Sequence, residues 1–173
     1  MATITLVTGG ARSGKSDYAI SRAAKYQAAR SFFVATAQAL DVEMRARIEH
    51  HRATRSPDFR TLEEPINVVA ALSGLDERAD VVVLDCLTLW VSNLMEVHAA
   101  DTAILLEADS LAEVLRRVSY ASVIVTDEVG AGIVPDNAPS RRFRDLLGWT
   151  NQKVARAANE VVLMVAGLPL RVK

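Results

Sequence analysis

Three groups of residues in this chain have types and spacings that could do chemistry. The first is GGARSGKS at 9–16, where Gly9, Gly14, Lys15 and Ser16 fit G-x-x-x-x-G-K-[ST]. Glycines let backbone N–H groups crowd an anion because no Cβ intervenes, and a helix starting at that point adds its positive end. Such a loop wraps nucleotide phosphates. Gly9, Gly10, Ala11, Arg12, Ser13, Gly14, Lys15 and Ser16 would form the cradle, with Lys15 reaching the β- and γ-phosphates and the Ser16 hydroxyl holding Mg²⁺. The second group is acidic: Asp85 follows VVVL, and Asp127 with Glu128 follows VIVT. An acid closing an apolar strand holds Mg²⁺ or its water shell in phosphoryl transfer, although an acid there can also cap the next helix. Asp85 is preferred, on the expectation that a strand neighbouring the phosphate-loop strand delivers it. Asp127 to Gly130 also spells D-x-x-G, but the N-K-x-D guanine reader of switch GTPases is missing.

The third group is the pair His50 and His51 within DVEMRARIEHHRATR at 41–55. Met44 and Ile48 stand four apart on one helical face, and continuing that face brings in His51 and Arg55. His50 lies about 100° around the helix, with Glu43, Arg47 and Thr54. The polar setting leaves His50 free to meet a ligand, whereas His51 is expected to be packed or paired. On spacing alone both also suit a solvated helical face. His98 has no matching partner and reads as a surface residue.

These groups need elements to position them. Apolar, β-branched runs at 3–8, 31–36, 81–85, 122–127 and 160–167 read as strands, and helical patterns fill 15–29, 40–55, 86–98, 102–119 and 140–158. Strands apolar at every position are buried on both faces, as when helices cover a mostly parallel sheet. The expected fold is therefore an α/β three-layer sandwich, with LPLRVK after Gly167 adding an edge strand, antiparallel through a tight turn. In such sheets ligands gather at the carboxyl ends of the strands, where the loop and all three acids fall.

Composition narrows the classes further. The chain has 173 residues, half of them hydrophobic, which suits a single domain over 1–173 with a real core. A net charge of −1 provides no broad basic surface, so nucleic acid is not an expected partner. The single cysteine, Cys86, excludes an internal disulfide, and three histidines without a cysteine cluster give no zinc pattern. The apolar stretches are strand-sized and the N-terminus lacks a signal-peptide pattern, so a cytoplasmic protein without membrane insertion is expected.

Longer blocks carry a resemblance. TGGARSGKS (8–16), VATAQALDVEMRARIEHHR (34–52), RTLEEP (60–65), DCLTLWVSNL (85–94), EVGAGIVPDN (128–137), RRFRDLLG (141–148) and NQKVARAANEVVLMVAGLPLRVK (151–173) run the length of the chain. Together they resemble the bifunctional adenosylcobinamide kinase and adenosylcobinamide-phosphate guanylyltransferase family of cobalamin biosynthesis. The histidine and EVGAGIVP blocks are far more specific than the phosphate loop. The resemblance implies a P-loop, RecA-like fold and two reactions: phosphorylation of adenosylcobinamide by ATP or GTP, then transfer of GMP from GTP to adenosylcobinamide phosphate. It implies His50 as the residue guanylylated, and nucleotide contacts at Gly9 to Ser16, at Ala35, Thr36 and Ala37, at His51, Arg52, Ala53 and Thr54, and at Glu63 and Asp85. Mg²⁺ at Ser16 and Asp85 and a homotrimer belong to the same expectation. Asp127 departs from the family's more usual Asn before Glu-Val-Gly. Two rivals remain: a single-activity small-molecule kinase would need the loop and Asp85 but no histidine, and a RecA-like ATPase or switch module would act on a macromolecule.

Overall fold

A computed structural model describes residues 2–39, 42, 44–46, 48–49 and 57–173. Among these, seven strands form one sheet in the order β3-β2-β4-β5-β1-β6-β7. The strands are β1 (Ile4–Gly9), β2 (Ser31–Ala35), β3 (Phe59–Glu63), β4 (Val81–Asp85), β5 (Ala121–Val125), β6 (Glu160–Val165) and β7 (Leu168–Arg171). Every pairing is parallel except β6 with β7. The helices with defined bounds are α1 (Lys15–Ala24), α2 (Val68–Gly74), α3 (Leu87–Val97), α4 (Asp101–Arg117) and α5 (Ala138–Ala157). Residues 42, 44–46, 48 and 49 are helical as well.

The expected sandwich is present, and the alternation of side chains explains why the strands read as continuous apolar runs. Ile4, Leu6, Phe32, Val34, Val82, Leu84 and Ile124 face one way and pack with α2 to α5 around Trp90, Leu111 and Leu146. Val7, Phe33, Ala35, Val81, Val83, Val123 and Val125 face the other way, toward Ala19 and Ala23 of α1. A sheet buried on both faces has no polar side to show. Two large side chains inside the larger layer have their polar groups matched: the Trp90 indole N–H donates to the Ile66 carbonyl at 2.9 Å and the Tyr120 hydroxyl to the Leu72 carbonyl at 2.8 Å.

Three elements differ from the sequence reading. β3 and α2 had no counterpart there. β3 is an edge strand exposed over four of its five residues, so it lacks an apolar run, and VVAALSG in α2 is short and apolar enough to pass for a buried strand. Helix α1 stops at Ala24 rather than 29, and Gln27 then takes a left-handed φ of 48°. The last segment does return antiparallel, as expected, through Ala166 and Gly167 with φ of 50° and 82°. Two successive positive φ values make the tight turn that matches the strand twist of a hairpin.

Strand order also revises the argument for Asp85. β1 is flanked by β5 and β6, not by β4. The strand that brings Asp85 is thus one further out, and the immediate neighbour β5 leads to Asp127.

Candidate active site

The loop from β1 into α1 is shaped by two glycines. At Gly9 a Cβ would stand 2.6 Å from the Met164 carbonyl oxygen and 2.7 Å from Ser13 Oγ, so close packing against β6 admits no side chain. Gly14 caps α1 in the left-handed conformation, φ 88° and ψ 17°, which costs glycine little. Ser13 N–H donates to the Gly10 carbonyl, and the hairpin turn braces the loop through Gly167 N–H to the Ser13 carbonyl at 3.1 Å. The first N–H groups of α1 have no intrahelical acceptors, which suits this end to an anion.

Around this loop the structure gathers four of the side chains singled out by sequence. Ser16 Oγ donates to Asp85 Oδ2 at 2.8 Å, although β5 lies between β4 and the strand β1 that leads into α1. Lys15 Nζ lies 2.7 Å from Asp127 Oδ1 and donates to the Gly10 carbonyl at 2.6 Å. The two acids that competed for one role are therefore divided: Asp85 goes to the serine and Asp127 to the lysine. Glu128 is occupied otherwise, since its Oε1 accepts the Gly130 N–H at 2.7 Å and its own N–H donates to the Gly9 carbonyl.

The remaining candidates spread along the same rim. Ala35 is level with Asp85 on one side and Glu63 on the other, which places Glu63 two strands beyond Asp85. Thr36 is fully buried. Its hydroxyl donates to the Cys86 carbonyl at 2.7 Å and accepts the Cys86 N–H at 2.9 Å, and the Thr36 carbonyl accepts from Asn93 Nδ2. This knot fixes the residue after Asp85. Ala37 is partly exposed. His50, His51, Arg52, Ala53 and Thr54 lie outside the described residues.

Burial, aided by the neighbouring Asp85 charge, pushes the Cys86 thiol up to about 12. Cys86 thus stays a protonated, inert thiol at neutral pH. The sequence reading missed Thr88 and Asn151, which hold Asp127 in place: Thr88 Oγ1 accepts the Asp127 N–H at 2.8 Å and Asn151 Nδ2 donates to its carbonyl at 3.1 Å. Both sit on helices remote in sequence, and only the tertiary fold brings them to β5.

The donor set bears on a cation. Ser16 hydroxyl and Asp85 carboxylate are hard oxygens of the kind Mg²⁺ takes alongside phosphates and water. Among the described residues no group of three or more His, Cys, Asp and Glu could hold a metal unaided. No helix among the described residues is long and apolar enough to cross a membrane.

Known proteins resemble this chain. The bifunctional adenosylcobalamin biosynthesis protein CobU of Escherichia coli K12 is 41% identical over 97% of this chain and 98% of its own length. The corresponding protein CobP of Pseudomonas aeruginosa PAO1 is 42% identical over 97% of this chain and 96% of its own. The RadB recombinase shares the fold, with a TM-score of 0.51 at 14% identity over 93% of this chain and 73% of that one, which makes the sandwich RecA-like. The family model described as cobinamide kinase / cobinamide phosphate guanyltransferase matches residues 5–172, and the chain belongs to that family.

Proposed function

We propose that this chain phosphorylates adenosylcobinamide with ATP or GTP and then transfers GMP from GTP to adenosylcobinamide phosphate, giving adenosylcobinamide-GDP. The observation that carries the reading is the Lys15, Ser16 and Asp85 cluster at the head of α1, in a chain that matches the family over residues 5–172. In the kinase step the hydroxyl of cobinamide's aminopropanol arm attacks the γ-phosphorus, and the bond to the nucleoside diphosphate breaks. Lys15 and the loop N–H groups stabilise charge that spreads over the transferred group. Ser16 and Asp85 would hold Mg²⁺, whose chemistry when bound is to neutralise charge between the β- and γ-phosphates.

In the second reaction a His50 nitrogen attacks the α-phosphorus and pyrophosphate leaves. A neutral imidazole has a lone pair for this at physiological pH. Charge develops on the β- and γ-phosphates, the groups that the loop and Lys15 hold, so one cradle serves both leaving groups. The phosphate oxygen of adenosylcobinamide phosphate then attacks the guanylyl phosphorus, and the P–N bond breaks to return His50. Ala35 to Ala37, His51 to Thr54 and Glu63 complete the proposed nucleotide contacts, and a homotrimer is the proposed assembly.

Incubation with α-labelled GTP and Mg²⁺ tests the reading. Acid-labile, base-stable label on the protein, absent from His50→Ala, is the expected result. No label at all would leave the single-activity kinase as the better account, and label that persists in His50→Ala would overturn His50 as the guanylylated residue.

A further inference from the structure

Lys15 has one ammonium and two claims on it. Its side chain is 9% exposed, against 29% for Asp127, so the 2.7 Å contact between them is poorly screened by water. A second N–H goes to the Gly10 carbonyl. Asp127 is not a pliant partner. Its N–H is tied to Thr88 of α3 and its carbonyl to Asn151 of α5, and Asn151 Oδ1 also accepts from the Thr126 hydroxyl at 2.7 Å. The backbone of the carboxylate is therefore held by the helical layer as well as by the neighbouring Glu128 N–H on the Gly9 carbonyl.

We propose that Asp127 is a positioning residue that competes with nucleotide phosphates for Lys15. It holds the ammonium against the loop until β- and γ-phosphates displace it, and it takes the lysine back as pyrophosphate or nucleoside diphosphate departs. The proposal rests on the reading of Gly9 to Ser16 as the phosphate cradle. Two effects oppose nucleotide binding while the carboxylate is present: the Lys15 ion pair must be given up, and a fixed negative charge then stands close to the phosphates. The same effects favour release of the polyanionic product, a step that often limits turnover.

Asp127→Asn tests this because the amide keeps the shape and drops the charge. Titration calorimetry with GTP and, separately, with inorganic pyrophosphate is expected to show both binding about fivefold more tightly to the variant, in line with one partly buried ion pair. Steady-state turnover should fall with KM, since product leaves more slowly, and the melting temperature should stay close to wild type. Asp127→Ala should move affinity in the same direction. Equal or weaker binding of GTP and pyrophosphate by both variants would overturn the proposal. Lys15→Met separates the two layers of the argument. If Lys15→Met binds GTP as wild type does, the cradle reading itself fails. Loss of binding in Lys15→Met beside unchanged binding in the Asp127 variants removes only the role of Asp127.

Discussion

Thr36 shows how much one hydroxyl settles at the residue scale. Family resemblance places it among the nucleotide contacts, but the side chain is fully buried and both its hydrogen bonds go to the Cys86 peptide. Thr36→Val keeps the shape and leaves the Cys86 N–H without its acceptor, which costs about 1–3 kcal/mol for an unsatisfied buried group. If Thr36 acts by fixing the Asp85–Cys86 corner, the variant melts lower and loses turnover through Asp85, while GTP affinity measured by calorimetry stays near wild type. A direct nucleotide contact would give the opposite split, weaker GTP binding at an unchanged melting temperature. The same scale shows what a sequence can announce. Lys15 and Ser16 were legible because chemistry restricts the residue types at their spacing, and Asp85 because an apolar run ended in an acid. The partner of Lys15 was not, since β5 lies between β1 and β4 only in the folded sheet.

Among the elements, the β6–β7 hairpin does more than close the sheet. Its turn places Gly167 N–H on the Ser13 carbonyl, so the phosphate loop leans on a segment more than 150 residues away. Gly167 has φ of 82°, and a Cβ added there would meet no atom within 4 Å, so Gly167→Ala brings no clash and only backbone strain. Left-handed backbone costs about 1–2 kcal/mol for a residue with a Cβ, and the variant should be destabilised by that amount and bind GTP less tightly. Gly148 provides the contrast. It lies inside α5 with open space around it, and Gly148→Ala should stabilise by about 1 kcal/mol through helix propensity alone. Urea denaturation of both variants checks the signs; the same sign for both would refute the conformational argument. Such elements were unevenly readable. Central strands and the long helices α3, α4 and α5 declared themselves through burial, with ends close to those observed. β3 did not, because it is exposed over Arg60 to Glu63 and its pairing with β2 is a tertiary fact.

At the scale of the whole molecule, one face of the sheet's end has no cover among the described residues. Val165 pairs with Leu168 and Leu163 with Leu170, and residues directly opposite in an antiparallel pair share a face. Val165, Leu168 and Leu170 are 53%, 71% and 58% exposed, and Val172, next on the same alternation, is 63% exposed. Edge strands of soluble proteins are usually protected by charge, proline or a covering element, and a contiguous apolar patch marks an interaction surface. β7 has Pro169 and Arg171 on its other face only. The proposed homotrimer accounts for this face if the hairpin of each subunit is covered by a neighbour. Light scattering after size exclusion should then give three times the 18.8 kDa of one chain. Leu168→Asp combined with Leu170→Asp should reduce that mass to one chain, and the far-UV spectrum should be retained, because these side chains support no core within the subunit. A wild-type mass of a single chain across micromolar concentrations would contradict the assembly. A trimer that survives both substitutions would move the interface to another surface and leave the exposed hairpin face unexplained.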